Sequence, residues 1–309
     1  MLTIFYGIKE CYLDVTTKAL TQCVDNNILT IPSGDHARAN LFTDPLFGIL
    51  KHIYIKLDTS DNKIDKIYNH NECPSIDVSF LDINSYVHEY NSNHQNQLNP
   101  SQKLQEIHNK LSFKHGSLSS EYPEQLMSVM FLKGHECVLE IGGNIGRNSL
   151  TIATLLNNQN NLVVLESDIN IANQLEENKR INNYIFHIVP KALSYKKLIQ
   201  KDWITLPSDI LLEGYKPVDI ITFEELECKY NLKFDTIVAD CEGALYYLLM
   251  DNPDILNNID LILMENDYWD IIHKHYVDAL LLDKGFHLVY HQGGGWGPCR
   301  DFFYETWKK

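Results

Sequence analysis

Short hydrophobic runs mark the first part of the chain. Residues 2–6, 11–15, 28–31 and 48–56 are rich in side chains that favour β-strands. Pro, Gly, Asp and Asn separate these runs, most clearly at 32–35 and 43–45. The pattern predicts a small β-rich accessory module over residues 1–83.

From about residue 120 the pattern changes to apolar runs that alternate with segments of helical spacing. The apolar runs predict strands at 138–141, 162–165, 184–189, 234–239 and 261–264. The other segments predict helices at 123–133, 148–156, 169–180, 244–250 and 273–283. Continuous apolar strands that alternate with helices are typical of an α/β fold, in which a parallel sheet carries helices on both faces.

Two further segments complete the predicted organisation. Residues 286–291 and 301–306 flank a Gly-rich loop, which predicts a terminal hairpin. Residues 84–101 are rich in Asn, Ser, His and Gln, and a short helix is expected from Ser101 through Lys110. We interpret 84–118 as a linker, so the predicted domains are 1–83, 84–118 and 119–309.

Charge and cysteine content limit the partners and the compartment. The chain has 26 Lys and Arg against 41 Asp and Glu, a net charge of −15, which repels phosphate and predicts no nucleic-acid partner. No apolar stretch is long enough for a membrane span, and the N-terminus lacks the features of a signal peptide. The seven cysteines form no Cys-x-x-Cys pair, which favours free thiols in a cytoplasmic protein.

A glycine-rich turn between the first predicted strand and helix of the α/β part is the strongest local motif. It contains Glu140, Gly142, Asn144 and Gly146, and glycines there allow a sharp turn and a close ligand. A carboxylate at this position repels a pyrophosphate but attracts an ammonium group. Glu166 follows the second strand, where an acidic side chain can accept both hydroxyls of a ribose. A ribose with a cationic amino-acid tail describes S-adenosyl-L-methionine; a purely structural turn is the alternative.

These motifs give the chain from about residue 121 onward a resemblance to class I S-adenosylmethionine-dependent methyltransferases, and among them to the FkbM family. Further matching motifs are Lys133-Gly134, Ala192-Leu-Ser194, residues 220–226 and, above all, Asp240-Cys-Glu242-Gly243. Glu140 stands where Asp is commoner, and Ser167 replaces a frequent Pro. The resemblance covers about three-fifths of the chain and implies a Rossmann-like sheet. It implies cofactor contacts at Glu121, Glu140, Gly142, Asn144, Gly146, Glu166, Ser167, Ala192 and Asp240.

The N-terminal module lies outside that resemblance. It is only vaguely similar to modules that precede sugar-modifying domains in large DNA viruses, which would make the compartment the host cytoplasm. No glycine turn or acidic strand end in it suits a nucleoside. We expect it to contact the acceptor or a second subunit, using an exposed polar stretch at Asp35, His36 and Arg38. A homo-oligomer is therefore left open.

Acidic side chains follow two strands that are expected to be neighbours. Asp240 and Glu242 follow the fourth strand, and Glu265 and Asn266 follow the fifth. Asp240, Glu265 and Asn266 would supply oxygen ligands for Mg²⁺ or Mn²⁺, an arrangement similar to that of metal-dependent catechol and sugar O-methyltransferases. In the alternative interpretation, Asp240 and Glu242 orient cofactor and acceptor by hydrogen bonds, and Asn266 caps a helix.

The Gly-rich loop near the C-terminus carries the candidate acceptor residues. His291 has a side chain suited to a general base, alongside Asp240 and Glu242. Trp296 can stack on a sugar face and Arg300 can bind a phosphate or carboxylate of the acceptor. A plain hairpin connection is the alternative. The sequence thus predicts a methyltransferase that O-methylates a sugar hydroxyl on a glycan or nucleotide sugar; another small-molecule acceptor, or a catalytically silent binding protein, stays open.

Overall fold

The computed structural model describes residues 1–8, 11–44, 49–59, 63–93, 100–201 and 204–309. The chain divides into two compact units, Met1–Lys103 and Leu104–Lys309. Within the described ranges, no helix is both long and apolar enough to cross a membrane. Residue 48, where one strand was predicted to begin, lies outside these ranges. The predicted domain limits at residues 83 and 118 stay predictions.

The first unit combines antiparallel sheets with helices, as the β-rich pattern predicts. Its elements are β1 (Leu2–Ile8), β2 (Cys11–Asp14), α1 (Thr16–Gln22), β3 (Val24–Asp25), β4 (Ile28–Thr30), α2 (Asp35–Phe42), β5 (His52–Asp58), β6 (Lys63–Tyr68), β7 (Ser75–Asp77) and α3 (Ile83–Asn93). The strand orders are β2-β1-β5-β6 and β3-β4-β7. Cross-strand pairs such as Ile4 with Ile55 bury the period-2 apolar face that the sequence shows.

The stretch predicted to be an exposed polar surface is instead largely structural. It forms α2, and the side chain of Arg38 is fully buried. Its guanidinium donates to the backbone carbonyls of Pro32, Asn69 and Glu72 at 2.8, 3.1 and 2.6 Å. Burial of a guanidinium requires such acceptors, so this arginine joins the segment before α2 to the loop between β6 and β7.

The second unit begins within α4 (Pro100–His108) and contains the α/β part. The remaining elements are α5 (Tyr122–Phe131), β8 (Val138–Ile141), α6 (Arg147–Leu155), β9 (Leu162–Leu165), α7 (Ile169–Ile181), β10 (His187–Val189), β11 (Ala192–Leu193), β12 (Leu198–Lys201), β13 (Ile204–Pro207), β14 (Lys216–Val218), β15 (Ile220–Ile221), α8 (Phe223–Tyr230), β16 (Thr236–Ala239), α9 (Ala244–Asp251), β17 (Leu261–Glu265), α10 (Ile271–Asp283), β18 (His287–Gln292) and β19 (Tyr304–Lys308).

A seven-stranded sheet with the order β10-β9-β8-β16-β17-β19-β18 forms the centre of this unit. The first five strands in this order pair in parallel, as in a Rossmann-like sheet; they are β10, β9, β8, β16 and β17. The last strand, β19, pairs antiparallel with both β17 and β18, which confirms the hairpin and closes that side of the sheet. Strands β8, β9 and β16 are buried along their whole length, as expected of a sheet that is covered on both faces.

Alternate residues of each strand contact different helices. Leu139 and Ile237 pack with side chains of α8, α9 and α10 on one face of the sheet. On the opposite face, Glu140 and Val238 meet Met127 of α5 around a small cavity. The α/β fold with helices on both faces is therefore confirmed. A small sheet, β13-β12-β14, lies between β11 and β15 in the chain; its strands are too short to have been predicted from periodicity.

Candidate active site

The site lies at the carboxyl ends of the parallel strands, where ligands bind in open α/β sheets. Gly142, just after β8, has a φ of +91°, and a Cβ at that position would come 1.6 Å from the backbone oxygen of Asp240. The first turn of the fold therefore packs directly on the end of β16, and only glycine permits this contact. Gly146 likewise packs closely on Leu175: a Cβ at position 146 would lie 2.3 Å from a methyl carbon of the Leu175 side chain.

Glu166 holds the glycine turn in shape. Its two carboxylate oxygens accept hydrogen bonds from the backbone N–H groups of Asn144, at 2.9 Å, and Asp168, at 2.8 Å. The side chain is buried, and burial raises its pKa. On the other side of the turn, Glu121 pairs with Arg147 and accepts a hydrogen bond from Nδ2 of Asn144 at 3.2 Å. Asn144 itself has a φ of 44°, so its left-handed backbone is held from both sides.

A small acidic cavity lies beneath this turn. Glu121, Glu124, Glu140, Asp240 and Glu265 line it, and its volume of ≈ 10 Å³ is about that of one water-sized probe. Carboxylate oxygens of Glu124, Asp240 and Glu265 lie within 4.8 Å of one another. Among the described residues that line this cavity there is no Lys, Arg or His.

Burial makes these carboxyl groups weaker acids than carboxyl groups in water. It raises the pKa of Glu140 to about 8, and one oxygen of that side chain has no hydrogen-bond partner among the described residues. Burial also raises the pKa of Glu124, Asp240 and Glu265, and their mutual repulsion adds to the shift. Without a ligand, the cluster therefore holds protons at neutral pH. A cation placed among these oxygens would replace those protons.

A larger cleft adjoins the same strand ends. Its volume is ≈ 350 Å³, within the range of small-molecule sites. The predicted cofactor residues Gly142, Asn144, Glu166, Ser167, Ala192 and Asp240 line it, together with Glu242. Burial, followed by the charge of Asp267, raises the pKa of Glu242 to about 7. The structure therefore brings these predicted residues together around one cleft, with Asp240 shared between cleft and cavity.

The predicted metal ligands do not all meet. Asn266 is fully buried, and its Nδ2 donates to the carbonyl of Phe302 at 2.6 Å. It lines neither the cavity nor the cleft. Glu124, on the first turn of α5, takes the third place beside Asp240 and Glu265 instead. The carboxyl ends of neighbouring strands converge as expected, but the side chain of Asn266 points to the segment before β19.

Three of the residues predicted for base and acceptor roles, His291, Trp296 and Arg300, lie outside the cleft lining, whereas the base candidates Asp240 and Glu242 belong to it. His291 is exposed on β18, the edge strand of the sheet, with its ring 5.2 Å from that of Phe302. Arg300 is exposed, in a 3₁₀ segment before β19. Trp296 contacts Trp269, with ring centroids 4.3 Å apart. The insertion of β19 between β17 and β18 explains why His291 ends at the edge.

Sequence reasoning missed three residues of this region. Glu124 lies one residue after a proline that starts an apolar helix, and this single acidic residue on a buried helix was the available signal. Trp269 follows the acidic strand end and is 71% exposed, which is unusual for so large an apolar ring. Gln200 lines the cleft from β12, and its surroundings in the sequence carry no motif.

Comparison with known proteins finds similarity to solved structures and none at the level of sequence families. No protein-family model and no curated protein matches this sequence. Among solved structures, an O-methyltransferase from Bacillus cereus bound to SAH is 14% identical, over 72% of this chain and 96% of that chain, with a TM-score of 0.41. A ribosomal protein L11 methylase from Lactobacillus delbrueckii subsp. bulgaricus is 10% identical, over 62% and 82%, with a TM-score of 0.40. An rRNA methylase from Streptococcus thermophilus is 9% identical, over 61% and 95%, with a TM-score of 0.37.

Likenesses of this size assign neither a reaction nor an acceptor. The FkbM resemblance and the similarity of the N-terminal module to viral proteins stay expectations from the motifs.

Proposed function

We propose that the chain is an S-adenosyl-L-methionine-dependent methyltransferase. One buried oxygen of Glu140 has no hydrogen-bond partner among the described residues, and the charged side chains around its cavity are all carboxylates; this observation carries the proposal. This cofactor brings an ammonium and a sulfonium, so it supplies the positive charge that the cavity lacks. Its nucleoside fits the adjoining cleft, where Glu166 has lone pairs left for the ribose hydroxyls.

We further propose O-methylation of a sugar hydroxyl. In that step the hydroxyl oxygen attacks the methyl carbon, the carbon–sulfur bond breaks with its electron pair going to sulfur, and the proton passes to a carboxylate. Glu242 lines the cleft, and burial raises its pKa to about 7, so it is suited to accept that proton. The acidic strand ends and the net charge of −15 disfavour a nucleic-acid acceptor. The exposed ring of Trp269, in contact with the half-buried Trp296, offers a surface for a sugar face.

A metal ion is a separable part of this proposal. Asp240 and Glu265, joined by Glu124, offer the hard oxygen ligands that Mg²⁺ and Mn²⁺ prefer. Chelation should then reduce turnover, and Mg²⁺ or Mn²⁺ should restore it, while the Kd for the cofactor stays nearly constant. Full turnover after exhaustive chelation would reject the ion and leave positioning and a base to explain the rate.

Calorimetry with S-adenosyl-L-methionine and S-adenosylhomocysteine tests the cofactor. The wild-type chain should bind both, and Glu140→Gln should weaken the binding. Glu176→Gln, which makes the same change on the exposed surface of α7, is the matched control. No binding to the wild type would refute the proposal. Binding without methyl transfer to any sugar in an acceptor screen would favour another small molecule or the silent binding protein.

A further inference from the structure

One wall of the cleft comes from the small sheet β13-β12-β14. Gln200 lies on its central strand, β12, and pairs with Thr205 on one side and Lys216 on the other. Leu198 and Gln200 are two residues apart and share one face of the strand. Leu198, Gln200 and Thr205 all line the cleft, so this face points into it.

Gln200, which lines that cleft, carries a buried polar atom without a partner among the described residues. The residue is 8% exposed, and its Oε1 is buried without a hydrogen-bond partner among the described residues. Leaving an amide oxygen unpaired in the protein interior destabilises the folded state. A side chain of this kind is retained where a ligand supplies the missing donor.

The remaining lining defines what that ligand group is. Ile171, Leu193 and Leu198 give the cleft an apolar part, suited to the faces of a flat ring. Asp168 is already paired with Lys216 at 2.6 Å, so that charge is satisfied by the protein. Glu166, the proposed ribose acceptor, lines the same cleft. A nucleoside held there by its ribose has room for its base against the small sheet.

We infer that Gln200 reads the amino edge of a 6-aminopurine, with its Oε1 accepting from the exocyclic amino group and its Nε2 donating to a ring nitrogen. This inference rests on the proposed function and names the residue that selects the base. A glutamine amide pairs with adenine in this bidentate way because donor and acceptor are complementary. The ring nitrogen in this pair is N7. A 6-oxopurine presents two acceptors at that edge, O6 and N7, so neither orientation of the Gln200 amide satisfies both, and Gln200 discriminates against it.

Calorimetry on the full chain tests the inference with two ligand pairs. The first pair is S-adenosylhomocysteine and S-inosylhomocysteine, and the second is adenosine and inosine. The wild type should bind the adenine-containing ligand of each pair about tenfold more tightly than the hypoxanthine-containing one. Gln200→Met keeps the length of the side chain but has neither donor nor acceptor, so the preference should vanish. Lys201→Gln, at the exposed next residue of β12, is the matched control and should keep the preference.

The outcomes separate this inference from the proposed function. Wild-type binding of S-adenosylhomocysteine without preference over the inosine form overturns the role of Gln200 and leaves the methyltransferase proposal standing. A preference that survives in Gln200→Met also overturns it. A preference for adenosine over inosine that disappears in Gln200→Met supports base recognition by Gln200. This holds even if S-adenosylhomocysteine does not bind. If Gln200→Met does not fold, the wild-type ligand pairs decide.

Discussion

Glu140→Gln should change stability and binding in opposite directions. Glu140 lies on the fully buried strand β8 and is 3% exposed. Burial raises its pKa from the ordinary 4.5 to about 8. At pH 7 the folded, empty protein therefore holds a proton on this side chain that the unfolded chain does not hold. Glutamine resembles the protonated acid but needs no proton.

The size of the stability effect follows from proton linkage. Protonating a carboxyl of pKa 4.5 costs about 3 kcal/mol at pH 7, since each pH unit is worth about 1.4 kcal/mol. Because the folded pKa is raised, the stability that depends on this proton is fully present below pH 4.5 and is lost as the pH rises through about 8. The free energy of unfolding of Glu140→Gln should thus exceed that of the wild type by up to about 3 kcal/mol at pH 7. Near pH 4.5 the two should converge.

The same substitution should weaken the binding of a cationic cofactor. A charge-assisted hydrogen bond contributes about 1.5–3 kcal/mol, and releasing the proton of Glu140 at pH 7 offsets about 1.4 kcal/mol of it. The Kd for S-adenosyl-L-methionine should therefore rise by up to about tenfold. Urea unfolding of the empty protein at pH 5 and pH 7, with calorimetry at pH 7, measures both effects. A variant that is less stable than the wild type at pH 7, or that keeps the wild-type Kd, would refute this reasoning. Glu176→Gln should change neither quantity.

Four other predictions follow from the contacts described above. Glu166→Ala should weaken cofactor binding by about 2–3 kcal/mol in calorimetry, because a buried acceptor of the ribose hydroxyls is lost; an unchanged Kd would contradict the assignment. Trp269→Ala should raise the KM for the acceptor about fivefold and leave the cofactor Kd unchanged; a change in cofactor Kd alone would contradict a stacking role. Arg38→Ala should destabilise the first unit by about 3 kcal/mol in urea unfolding, because a buried guanidinium with hydrogen bonds to three backbone carbonyls is lost; a neutral effect would show that water replaces it. The truncated chain 100–309 should fold and bind the cofactor, since the cleft-lining residues belong to the second unit; a folded truncation without binding would show that the first unit contributes.

Local sequence patterns determine most of the secondary structure in the second unit. The strands at 138–141 and 162–165 have the predicted bounds, because a run of apolar residues between turn formers can only be a buried strand at that length. The local sequence also predicts the turn at 142–146. Gly142 has a positive φ in this turn, a conformation that favours glycine. The convergence of Asp240 and Glu265 also follows from sequence, because the carboxyl ends of parallel strands share one edge.

Tertiary structure alone decided which side chains complete the site. Glu124 joins Asp240 and Glu265 although more than a hundred residues separate it from them in the chain, and the packing of α5 on the sheet brings it there. His291 was expected near the reacting atoms, but the strand order put it on the edge. Gln200 lines the cleft because it lies on the central strand of a short sheet, and the burial of Arg38 depends partly on a distant loop, between β6 and β7, that supplies two of its three acceptors. Periodicity describes which residues are buried; it does not describe which buried residues meet, because that depends on long-range packing.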